Sequence, residues 1–133
     1  MRTILIFLLL ISNTVFAEII NIDNKKLKKL IKQGIPVIDV RTKKEWIKTG
    51  VISDTYLISM INEEGKYSLK DWYKQFSKIE LKDDAVVLIC AVGGRSSYIA
   101  KILQSINKDI DIFNLEKGIK NWIAENNPTY KYK

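Results

Sequence analysis

Ala85-Val86-Val87-Leu88-Ile89, running without a break into Cys90-Ala91-Val92-Gly93-Gly94-Arg95-Ser96, is the stretch on which the reading of this chain turns. The apolar run is bounded upstream by Asp83-Asp84 and predicts a strand buried on both faces. The glycine pair predicts a tight loop, and Ser96 to Asn107 predicts a helix with Ile99, Ile102, Leu103 and Ile106 on one side. A buried strand, a short glycine loop and an amphipathic helix form one unit of an α/β fold.

Cys90 sits at the hinge of that unit. It is the only cysteine among 133 residues, so no intramolecular disulfide can use it. The chain has no histidine, which removes a Cys-His dyad, histidine base catalysis and histidine-ligated metal sites. Activation of the thiol must then come from backbone dipoles, lysine or arginine. Gly93 and Gly94 let successive N–H groups turn inward as a nest, and the start of the following helix favours negative charge. We therefore expect Cys90 to be an exposed thiol of lowered pKa rather than a small apolar residue finishing a strand.

Working outward, Asn24 to Gln33 carries Leu27, Leu30 and Ile31 at helical spacing and ends at Gly34. Pro36 to Val40 reads as a buried strand, Thr42 to Thr49 as a short helix ended by Gly50, and Tyr56 to Ile58 as a second strand. Ser68 can cap a helix whose Leu69, Trp72, Tyr73 and Phe76 share a face. Ile110 to Phe113 reads as a further strand, and Gly118 to Glu125 as a final helix stopped by Pro128. Alternating strands and helices imply a largely parallel sheet with helices on both faces. In such sheets ligands bind beyond the carboxyl ends of the strands, where Asp39 to Arg41 and Cys90 to Ser96 both fall.

Arginine usage marks the same edge. After Arg2 the chain has only Arg41 and Arg95, amid many lysines, and each follows a strand end. A planar, bidentate cation at these two places suits a carboxylate or oxyanion. Arg95 is expected to hold a donor oxyanion or the loop backbone, and Arg41 to clamp Asp39 or Glu45.

Together, Val37-Ile38-Asp39-Val40-Arg41-Thr42 with Glu45, then Cys90-x-x-Gly93-x-Arg95-Ser96, then Leu115-Glu116-Lys117-Gly118-Ile119-Lys120-Asn121-Trp122 resemble the rhodanese domain. The resemblance runs from about Asp23 to Glu125. It implies a single domain with a five-stranded parallel sheet and sulfur transfer through a cysteine persulfide. On that footing Cys90 is the catalytic residue, Ala91, Val92, Gly93, Gly94, Arg95 and Ser96 form the substrate loop, and Asp39, Arg41 and Glu45 support it. No cofactor or metal is implied beyond the covalent persulfide. The sequence departs from the family at Gly50-Val51-Ile52-Ser53-Asp54-Thr55, which lacks the usual histidine and proline, and at Lys117, where glycine is common. The loop has no charged side chain between Cys90 and Arg95. Four residues separate those two, where cysteine phosphatases resembling this arrangement usually have five.

The remaining features concern location and partners. Arg2, the apolar run Ile4 to Ile11 and Val15-Phe16-Ala17 read as a signal peptide over residues 1–17, leaving 18–133 as the domain. The run is too short to span a bilayer comfortably, so we expect export, into a bacterial periplasm, with no stable membrane anchor. The formal net charge of +7 is spread over lysines on solvated faces. Nucleic acid is not an expected partner, because basic and aromatic residues are not interleaved. The sequence sets no oligomeric state. The expected activity is a thiosulfate:cyanide-type sulfurtransferase taking a small anionic donor and a thiol or cyanide acceptor. A persulfide-carrying or partner-binding module with little turnover is the main alternative, and a small cysteine phosphatase a minor one.

Overall fold

The computed structural model describes residues 18–133, and the signal peptide expected over 1–17 lies outside the described residues. The elements run β1 (Ile19–Ile22), α1 (Asn24–Lys32), β2 (Val37–Asp39), α2 (Lys43–Thr49), β3 (Thr55–Leu57), α3 (Leu69–Phe76), β4 (Ala85–Ile89), α4 (Gly94–Ile106), β5 (Asp111–Leu115) and α5 (Gly118–Ala124). The strands form one five-stranded sheet in the order β1-β5-β4-β2-β3, and every pairing is parallel. The fold class is thus the expected α/β, with β4 at the centre.

Two apolar layers cover the sheet. Along β4 successive side chains alternate between them, as a period of two requires. Val86, Leu88 and Cys90 join Trp72 and Phe76 of α3 and Ile99, Ala100 and Leu103 of α4. Ala85, Val87 and Ile89 join Leu27 and Leu30 of α1 and Ile119 and Trp122 of α5. Burial on both faces explains why β4 reads as an unbroken apolar run. It also gives Cys90 a side: the register points it toward α3 and α4. Trp72 is completely buried there, with its indole N–H donating to the Ile58 carbonyl at 3.1 Å.

The Ser68 cap follows the expectation from sequence, and the start of α2 adds a cap that the sequence reading did not name. Thr42 and Glu45 form a reciprocal capping box at the start of α2, and Ser68 caps α3. Three differences from expectation have physical reasons. The fifth strand, β1, lies at the edge of the sheet beside β5 and buries only Ile22, so no apolar run declared it. β5 continues through Asn114 to Leu115, past the polar residue at which its apolar pattern ends, because the Asn114 amide is satisfied inside the protein. α4 begins at Gly94 rather than Ser96, since its first turn is capped by an unusual acceptor described below.

The chain beyond α5 straps the β3 side of the molecule. Val51 and Tyr130 exchange backbone hydrogen bonds at 2.8 and 2.9 Å, and the Trp122 indole donates to the Pro128 carbonyl at 2.8 Å. The Gly50 to Thr55 stretch is therefore held by the C-terminal segment. Gly50 has φ of +77°, and a side chain there would run into the Tyr130 carbonyl.

Candidate active site

At the end of β4 the chain turns through Ala91, Val92 and Gly93 before α4 starts. Gly93 is the N-cap residue, with φ of 92° in the left-handed region and no side chain to cap the helix. The Cys90 sulfur takes that role. Sγ accepts hydrogen bonds from the Gly93 N–H at 3.1 Å, the Ser96 N–H at 3.4 Å and the Ser96 hydroxyl at 3.2 Å. Two of the donors are backbone groups at a helix start, where partial positive charge collects.

The expectation of an exposed thiol is corrected here: Cys90 has 0% of its surface accessible. It belongs to the α3/α4 core layer by strand register, and the loop backbone folds over it. Burial and thiolate character are both present. Burial pushes the thiol pKa up, but the Ser96 hydroxyl, the Ser96 N–H and the Val92 and Gly93 N–H groups outweigh it, so the pKa lies below the ordinary thiol value.

Ser96 is fully buried and is the hub of a polar chain. Its single hydroxyl proton is shared between Asn114 Oδ1 at 2.6 Å and Cys90 Sγ at 3.2 Å, and the Asn114 amide nitrogen donates to Asn21 Oδ1 at 3.0 Å. Strands β5 and β1 thereby fix the serine that faces the sulfur. Neither asparagine was identified from sequence. The available signal was a polar residue, Asn114, inside an otherwise apolar strand beside the nucleophile's strand.

The loop is closed from the far side by α5. The N–H groups of Ile119 and Lys120 donate to the carbonyls of Cys90 and Ala91 at 2.9 and 3.1 Å. Such contact needs close approach of the two backbones, and glycine provides it twice. A Cβ on Gly118, whose φ is +65°, would collide with the Ala91 carbonyl, and one on Gly93 with the Glu116 carbonyl. The Gly118 and Trp122 motif thus acts on the loop. Its glycine lets the loop approach, and its tryptophan anchors α5 in the opposite core layer.

The two arginines have separate partners. Arg41 pairs with Asp39 at 2.8 Å, the two being 1% and 0% exposed, and also donates to the Gly50 carbonyl and the Thr49 hydroxyl. This corner ties the end of β2 to the end of α2 and takes no part in the loop. Glu45 instead reaches Arg95, with Nη1–Oε2 at 2.8 Å and Nη2–Oε1 at 2.6 Å. The Arg95 guanidinium holds the Glu45 carboxyl down to about pKa 2, against the opposing effect of burial and with help from Thr42. The structure therefore gives Arg95 a protein carboxylate where a donor oxyanion or the loop backbone was expected. Ala91 is half-buried, Gly94 exposed, and Val92 presents 61% of its surface at the outer turn of the loop. No group of three or more metal-ligating carboxylates or thiols occurs among the described residues.

A family model described as rhodanese-like domain matches residues 23–125. Among solved structures, a rhodanese-related protein from Thermoplasma volcanium is 26% identical with a TM-score of 0.67, covering 85% of this chain and 99% of its own. The polysulfide-sulfur transferase homodimer of Wolinella succinogenes is 23% identical with a TM-score of 0.63, covering 86% of this chain and 80% of its own. A Rhodopseudomonas palustris protein described as a possible tyrosine phosphatase is 22% identical, with a TM-score of 0.63 and coverage of 84% and 85%. The last two likenesses establish the shared fold. None of the curated proteins matches the chain.

Proposed function

The chain belongs to the rhodanese-like domain family, and from that membership we propose that it is an exported sulfurtransferase working through a persulfide on Cys90. The observation that carries the proposal is the sulfur of Cys90 accepting three hydrogen bonds at the start of α4. Those donors stabilise an anion at Sγ whether the anion is the thiolate or, one atom further out, the persulfide.

In the first step the Cys90 thiolate attacks the sulfane sulfur of thiosulfate. An S–S bond forms at Cys90, the S–S bond of the donor breaks, and sulfite leaves with its electron pair. In the second step cyanide or a thiolate attacks the outer persulfide sulfur, taking it as thiocyanate or a new persulfide and restoring the thiolate. No proton transfer by a histidine is needed, in keeping with a chain that has none. The lysine-rich surface draws anionic donors toward the protein. Export to a periplasm is part of the proposal, resting on the segment 1–17. No helix among the described residues is long and apolar enough to cross a membrane.

A second reading, a persulfide carrier with little turnover, is favoured by the burial of Cys90 and the engagement of Arg95 by Glu45. The phosphatase reading gains nothing from this geometry, because the loop is short and its arginine is already paired.

Mass spectrometry after thiosulfate treatment is expected to show one added sulfur on Cys90, and thiocyanate production from thiosulfate and cyanide should vanish in Cys90→Ser. Sulfur loading without thiocyanate would establish the carrier instead. An unmodified Cys90 after both thiosulfate and polysulfide would overturn the sulfur chemistry altogether.

A further inference from the structure

A cavity of about 380 Å³ opens beside the candidate site, between α3, α4 and the segment leading into α3. It shares a core layer and a helix with the candidate site. Met60, Trp72 and Ile99 line it, and all three belong to the core layer that contains the cysteine. Tyr98 and Ile99, which also line it, stand three and four residues after Arg95 on α4, one helical turn along the same face.

The wall is mainly apolar. The Trp72 indole N–H is occupied by the Ile58 carbonyl, and the Ser68 hydroxyl by Asp71 at 2.6 Å. No charged side chain lines the space, and the tyrosine hydroxyls of Tyr67 and Tyr98 are the remaining polar groups. The volume falls at the lower end of the range that proteins use for small organic ligands. Beside it, the guanidinium that could hold a second anionic group is closed by Glu45. Both features disfavour a highly charged reactant and suit an apolar one.

Resting on the sulfurtransferase reading above, we propose that this cavity holds the body of the sulfur acceptor, a small organic thiol with an aromatic or branched aliphatic group. The acceptor ionises by losing its proton to solvent. Its thiolate attacks the outer sulfur of the Cys90 persulfide, the new S–S bond forms on the acceptor, and the Cys90 thiolate leaves. The apolar body fills the space over Trp72 and Ile99 while the sulfur end faces the loop.

The test compares benzyl mercaptan with 2-mercaptoethanol, two thiols of similar acidity, in discharging Cys90 preloaded with thiosulfate or polysulfide. Benzyl mercaptan is expected to react at least about tenfold faster, since even small apolar groups give discrimination of that order in fitted pockets. Leu69→Glu and Tyr98→Glu, at rim positions that are 40% and 60% exposed and so open to a charge, should bring the ratio toward one. In parallel, titration with benzyl alcohol, which carries no sulfur, should shift the NMR methyl signals of Met60, Ile99 and Ile102 to saturation. Loading with equal rates for the two thiols, a preference that survives both substitutions, or absent methyl shifts would overturn the cavity assignment. If Cys90 fails to load, the sulfurtransferase reading falls by itself, and the methyl shifts still decide whether the cavity takes an aromatic ligand.

Discussion

Glu45 and Arg95, fifty residues apart, meet in a two-pronged ion pair that joins the first turn of α2 to the first turn of α4. Each is about a third exposed, so the pair is neither a core bridge nor a freely solvated one. Its effect is to neutralise the only cation of the cysteine loop and to aim the helix start that bears on the sulfur.

The pair sets a pH dependence. The folded-state pKa of Glu45, about 2, lies below its ordinary 4.5, so its contribution is complete above the unfolded value and lost as pH falls from about 4.5 through 2. After discounting for solvent screening, that contribution is about 1 kcal/mol. Urea unfolding at pH 6 and pH 2.5 should show wild type losing more stability than Glu45→Gln over that interval. An equal loss in both proteins would assign the acid sensitivity to other carboxylates.

Ser96→Ala removes the hydroxyl that donates to sulfur and leaves the backbone donors in place. The Cys90 pKa should rise, read from the pH profile of iodoacetamide alkylation. A hydrogen bond to a charged group contributes roughly 1.5 kcal/mol, so kcat/KM for thiosulfate should fall about tenfold at neutral pH. An unchanged alkylation profile would leave the backbone nest as the whole source of activation.

Asp39→Asn breaks a pair that has no access to water. Arg41 would remain buried with its charge uncompensated, a change that costs about 3–5 kcal/mol. The unfolding midpoint should drop accordingly, while the alkylation pKa of Cys90 in the protein that remains folded should hold, because Arg41 contacts the β2–α2 corner and not the loop.

Gly118→Ala tests the contact between α5 and the loop. A side chain there must adopt a positive φ and displace the Ala91 carbonyl. Strain of this kind costs about 1–3 kcal/mol. Because the displaced atom lies next to Cys90, sulfur transfer should decline beyond what the loss of stability explains, measured as activity per folded molecule.

How much of this was legible in the sequence depends on the range of each interaction. β4, the loop and α4 could be read because strand burial, glycine conformation and helix periodicity are local. The capping box of Thr42 and Glu45 was within reach for the same reason. The assignment of Glu45 to Arg95 was not, since sequence spacing does not bring together residues from the first turns of two different helices. The polar chain from Cys90 through Ser96 to Asn114 and Asn21 runs across two strand pairings, and β1, an edge strand that buries one residue, carries no apolar pattern. Exposure of the thiol was misjudged because a helix start attracts an anion equally well whether or not solvent reaches it.

The hydrogen bonds from Ile119 and Lys120 to the carbonyls of Cys90 and Ala91 also order events in time. Synthesis proceeds from the N-terminus, and these donors emerge almost thirty residues after the cysteine they help to frame. Until they arrive, the nascent chain carries a thiol whose loop lacks its far wall. The frame of the nucleophile is thus complete only when the last helix has docked.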